Sequence, residues 1–91
     1  MATADVPEGG GVIVQEKYVV TQPTAGEFKA FSAACTHQGC PVDKVENSEI
    51  VCPCHGSHFA IDSGEPVAGP AEAPLPAVEF TVSGDNLVLP E

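Results

Sequence analysis

Cys35-Thr36-His37-Gln38-Gly39-Cys40 and Cys52-Pro53-Cys54-His55-Gly56-Ser57 together hold all four cysteines and two of the three histidines of a 91-residue chain. Each stretch brings one cysteine and one histidine within a turn of backbone, Cys35 with His37 and Cys52 with His55, and leaves a second cysteine over. Thiolate with imidazole selects zinc, copper or iron and disfavours magnesium and calcium. Gly39 and Gly56 follow the histidines closely and let the backbone pass near a bound group without a Cβ in the way. The two knots therefore read as loops folded around a metal centre. Two cysteines and two histidines could close a tetrahedral zinc site, but zinc would leave Cys40 and Cys54 unexplained.

C-T-H-x-G-C followed by C-P-C-H-G-S resembles the Rieske iron-sulfur signature, which here spans about a quarter of the chain. The resemblance implies a 2Fe-2S cluster with cysteines on one iron and histidines on the other. Carried over residue by residue, Cys35 and Cys52 hold the inner iron and His37 and His55 the outer one. Cys40 and Cys54 match the pair that forms a disulfide between the loops in respiratory and photosynthetic members. Ferredoxins of ring-hydroxylating oxygenases lack that pair, so the chain sides with the disulfide-bearing, cytochrome bc-like class. Gly69-Pro70-Ala71 matches the proline loop that covers the cluster from a third side.

Neighbouring residues carry further expectations from the same resemblance. Ser57 lies where the family's serine donates a hydroxyl hydrogen bond to a bridging sulfide. Phe59 stands where high-potential members have a tyrosine that bonds a cysteine sulfur, and phenylalanine has no such donor. The implied potential is therefore below that of the tyrosine-bearing members, within the Rieske span of about -150 to +300 mV. Gln38, where leucine is usual, implies a wetter rim. His58 is not a ligand by spacing and reads as an exposed histidine, and Tyr18 reads as a core residue.

The function implied is one-electron transfer to a redox partner protein or from a quinol, with no catalytic site in the chain itself. No nucleophile with an adjacent base, phosphate-binding glycine loop or second metal motif is visible. Two other classes stay open: the ferredoxin component of an oxygenase system, and a zinc-stabilised binding module. Thirteen acids against three lysines and no arginine give a formal net charge of -10. Nucleic acid and anionic membrane surfaces, which demand positive patches, are excluded as partners.

No apolar run approaches the roughly 18 residues of a membrane span. A Cys40–Cys54 disulfide, by contrast, persists only in an oxidising compartment. The expectation is the soluble head of an exported or membrane-anchored protein, extracytoplasmic, whose leader or anchor is not in this chain. The same disulfide would close a loop of thirteen inner residues, 41–53; in the chain-entropy model this contributes about 3 kcal/mol. A domain this small profits from such a staple and from iron ligation.

The remaining pattern is that of a single all-β domain over residues 1–91: a Rieske-type antiparallel sandwich of short strands, with the two metal loops as a cluster-binding subdomain. Residues 1–10 read as a leading segment with little structure. Residues 11–15, 18–21 and 27–33 read as three strands, with turns at Glu16-Lys17 and at Gln22-Pro23-Thr24-Ala25-Gly26. Residues 42–49 read as a polar connection, and 49–51 as a short strand delivering Cys52. Four prolines in residues 66–76 argue for a rigid covering loop. Val78, Phe80 and Val82 alternate with polar residues as a half-buried strand does, and Gly84-Asp85 turns the chain into a last strand at 86–89.

Overall fold

The β-branched run Val19-Val20-Thr21 lies at the centre of the molecule, with all three residues at 0% exposure. The computed structural model describes residues 1–15, 17–33, 41–53, 56–69 and 73–89. Strands β1 (Gly10–Val14), β2 (Tyr18–Thr24) and β3 (Glu27–Ser32) form an antiparallel sheet in that order. Successive side chains of a strand point to opposite faces, and here both faces are covered. Val19 and Phe31 pack on one side with Ile50, Phe59 and Leu75, while Val20 and Ala30 pack on the other with Val6 and Leu87. Burial on both faces is why β2 reads as a continuous apolar run.

β2 continues through Gln22 and Pro23, where a turn was expected. A register shift between Thr21 and Thr24 accommodates the proline, because a bulge demands no ladder donor there. The turn itself falls at Ala25-Gly26, with Gly26 at φ +83.

A second antiparallel sheet has the order β4 (Lys44–Glu46), β5 (Glu49–Val51), β6 (His58–Ala60) and β7 (Pro66–Ala68). Two of its members correct the sequence reading. β4 lies within the expected polar connection, since only Val45 of its three residues packs toward the core. Asn47 and Ser48, at φ 53 and 62, form the two-residue turn into β5, the left-handed conformation that hairpins of this kind require. β7 opens the expected covering loop with a strand; its proline is tolerated as the first residue of an edge strand.

The third pairing is the hairpin of β8 (Thr81–Ser83) and β9 (Asn86–Val88). The expected alternating strand is only partly realised. Val78 and Phe80 pack against the Val20 side of the core, but Val82 is 45% exposed. Residues 76–78 line β3 instead, through Ser32 N–H to the Pro76 carbonyl at 2.9 Å and Val78 N–H to the Ala30 carbonyl at 2.9 Å.

The leading segment is ordered, contrary to expectation. It contains a 3-10 turn at Thr3–Asp5, and Leu87 N–H donates to the Met1 carbonyl at 2.7 Å. Its anchor is Val6, buried in the second core cluster. Among the described residues no helix is long and apolar enough to cross a membrane.

Candidate metal centre

Strand direction alone brings the functional loops together. β4 leads away from the first knot, β5 leads into the second, β6 leads out of it, and β7 returns toward Gly69. Because the four strands are antiparallel neighbours, all three loops leave from one end of one sheet. Backbone hydrogen bonds close each knot at its base: Val42 N–H to the Ala33 carbonyl at 2.7 Å for the first, and Cys52 N–H to the Ser57 carbonyl at 2.8 Å for the second. Asp43 N–H to the Val51 carbonyl at 3.1 Å ties the two bases to each other. Ala33 also donates its N–H to the Lys17 carbonyl at 2.9 Å, fastening the first base to the central sheet.

The second knot is thus the loop of the β5–β6 hairpin. Cys52 is buried to 1% exposure and belongs to the same core cluster as Val42, Ile50 and Phe59. Ser57 is fully buried, and Gly56 turns the chain at φ +74. The covering segment is pressed directly onto this turn. A Cβ on Gly69, whose φ is +87, would meet Ser57 Cα at 2.5 Å, the Gly56 carbonyl oxygen at 2.8 Å and Ser57 N at 2.8 Å. Only glycine fits so close a backbone approach.

Of the residues singled out from sequence, Cys52, Ser57, Phe59 and Gly69 come together here. Cys35, His37, Gln38, Cys40, Cys54, His55, Pro70 and Ala71 lie outside the described residues. Phe59 is fully buried in the cluster that contains Cys52. Tyr18 is half-buried with Lys17 Nζ 5.5 Å from its ring centroid, at the edge of the core rather than within it.

His58 differs from the expected exposed histidine. Its Nδ1 lies 2.8 Å from Glu49 Oε1, across the β5–β6 hairpin. Thr21 was missed altogether: its hydroxyl donates to the Ile61 carbonyl at 2.7 Å in the core, tying the central sheet to the segment after β6. Neither contact has a sequence signal, because each depends on a register set elsewhere.

The described part of the site fits an iron-sulfur group. A thiolate is a soft ligand for such a cluster, and Cys52 is buried at the base of the second loop. The bare backbone of Gly69 lets the third loop pack directly on the Gly56-Ser57 turn of that hairpin.

Comparison with known proteins agrees. Residues 1–86 match the model of the Rieske [2Fe-2S] domain. The chain is 35% identical over 89 residues to the cytochrome b6-f complex iron-sulfur subunit of Chlorobaculum thiosulfatiphilum, covering 94% of this chain and 49% of that protein. It is 40% identical over 67 residues to the cytochrome bc1 complex Rieske iron-sulfur subunit of Corynebacterium glutamicum, covering 70% of this chain and 16% of that one. The chain therefore spans half or less of the length of these curated relatives.

Among solved structures, the plasma membrane Rieske protein PetC3 of Synechocystis superposes with a TM-score of 0.72 at 34% identity, covering 89% of this chain and 84% of its own. A ferredoxin of Sphingomonas yanoikuyae superposes at 0.74 with 26% identity, covering 99% and 93%. The chain belongs to the Rieske [2Fe-2S] family, and its cofactor is a 2Fe-2S cluster.

Proposed function

We propose that this single domain is a one-electron carrier in which Cys35, Cys52, His37 and His55 hold the cluster and a Cys40–Cys54 disulfide joins the two loops. The observation that carries the reading is that the strands carrying all three loops end at one edge of one sheet, with Gly69 packed on the Gly56-Ser57 turn and Cys52 buried in the same hairpin. A bound 2Fe-2S cluster supplies a centre that cycles by one electron. The protein's part is to hold and shield that centre. β5 and β6 fix Cys52 and Ser57 relative to each other, the covering segment excludes water from one side, and Phe59 fills the space beneath without a hydroxyl of its own.

The partner is a redox protein or a quinol at the loop end. Phe59 and Gln38 favour a carrier over a quinol-oxidising subunit. A disulfide between Cys40 and Cys54 would go with an oxidising, extracytoplasmic compartment. Stoichiometric reduction monitored by visible absorbance tests the reading: one electron per chain is expected, and no uptake would refute it. Mass spectrometry after alkylation, with and without reductant, tests the disulfide. Alkylation of Cys40 and Cys54 in the unreduced, denatured protein would remove the argument for that compartment.

The second reading is a ferredoxin component of an oxygenase system. It is favoured by the agreement in fold with the Sphingomonas ferredoxin and opposed by the presence of Cys40 and Cys54.

A further inference from the structure

The outer face of the second sheet carries a polar array that the site described above does not use. Register puts Lys44, Val51, His58 and Ala68 in one row across the four strands, bordering the end from which the loops leave. The next row holds Glu46, Glu49 and Ala60. Glu46 and Glu49 stand directly opposite each other across a two-residue turn, an unfavourable arrangement for like charges. Each turns instead to a residue of the first row. Glu46 meets Lys44 Nζ at 3.2 Å, and Glu49 Oε1 lies 2.8 Å from His58 Nδ1. An ionised carboxylate only accepts, so the proton of this hydrogen bond is on Nδ1 of His58.

We propose that the His58–Glu49 hydrogen bond is a positioning device for the second metal loop. β5 and β6 are only three residues each, and the loop they carry starts and ends immediately beyond the pair Val51 and His58. The closing contact, Cys52 N–H to the Ser57 carbonyl, holds only while that register holds. On the inner face Ile50 opposite Phe59 secures the hairpin by packing. On the outer face the diagonal bond from His58 to Glu49 does so. His58 is also the next residue after Ser57, so its ring anchor and the buried serine share one stretch of backbone.

The two side chains are 31% and 38% exposed, and a pair that open adds little to global stability. Its leverage is local. A cluster's potential depends on hydrogen bonds to its sulfurs and on solvent exposure, and both depend on how rigidly residues 52–57 are held. The inference rests on the reading of that loop as cluster-holding.

Four variants of the full chain separate positioning from charge: His58→Ala, His58→Asn, Glu49→Ala and Glu49→Gln. Asparagine offers an amide N–H near the place of Nδ1, and glutamine keeps a carbonyl acceptor without the negative charge. Positioning predicts a shifted potential in His58→Ala and Glu49→Ala, with faster hydrogen exchange across residues 49–60 by mass spectrometry. His58→Asn and Glu49→Gln should stay near the wild type in both measurements. If Glu49→Gln tracks Glu49→Ala, the residue acts through its charge and the proposal is overturned; four unchanged potentials overturn it equally. A wild-type protein that takes up no iron would instead defeat the electron-carrier reading, and the exchange data on the same chains would still decide whether the clamp exists.

Discussion

Replacing Gly69 with alanine forces a Cβ into a space already occupied by the backbone of the second knot. Two costs add. An L-residue at φ +87 loses about 1–2 kcal/mol to left-handed backbone strain. A new carbon 2.5 Å from Ser57 Cα has no flexible side chain to displace, and overpacking of this kind costs about 1–3 kcal/mol. The total of about 2–5 kcal/mol compares with a stability of about 5–15 kcal/mol for a domain of ordinary size, and lowers the melting temperature by about 8 °C or more. Bleaching of the cluster's visible absorbance on heating is the assay. Gly26→Ala is the control, because Gly26 sits at φ +83 with nothing within 4 Å of the added carbon. It incurs only the backbone cost. If the two variants bleach at the same temperature, the close approach of the covering segment to the Gly56-Ser57 turn is wrong.

Three further outcomes follow from particular contacts. Thr21→Val keeps the shape but removes the buried donor to the Ile61 carbonyl; a loss of about 1–3 kcal/mol is expected, and urea unfolding within error of the wild type would contradict it. Phe59→Tyr places a hydroxyl in the buried cluster that contains Cys52. Protein-film voltammetry should find the potential raised by tens of millivolts, the order of one net hydrogen bond to the reduced state, and no rise would contradict the account. Reducing the proposed Cys40–Cys54 disulfide should cost about 3 kcal/mol, seen as a lower denaturant midpoint in the presence of a reductant; an unmoved midpoint would argue against the bond.

The family and its cofactor were legible in the sequence because the signature is local: residue types, spacing and glycines sit within a few residues of one another. The central strands were legible too, since Val19 and Val20 are buried whichever partner covers them. β4 was not, because Lys-Val-Glu shows one inward apolar residue and no pattern. The docking of residues 1–6 was hidden for a related reason: Val6 is a lone apolar side chain whose partners, Val20, Ala30 and Leu87, come from three separate strands. His58 and Glu49 are nine residues apart, and they meet only because the β5–β6 register puts them on a shared diagonal. Gly69 was marked by its motif, yet its reason is a backbone contact with Ser57 that no local pattern encodes.

The claim beneath all of this is that two irons in one site are ligated unequally, by sulfur on one side and imidazole nitrogen on the other. Electron-nuclear double resonance on the reduced protein, with and without nitrogen-15 in the histidines, measures it directly. The account predicts hyperfine coupling to two histidine nitrogens that changes with the label, one of the two being lost when either His37 or His55 is replaced. A reduced cluster with no nitrogen coupling, or a colourless protein holding one zinc per chain, would contradict it.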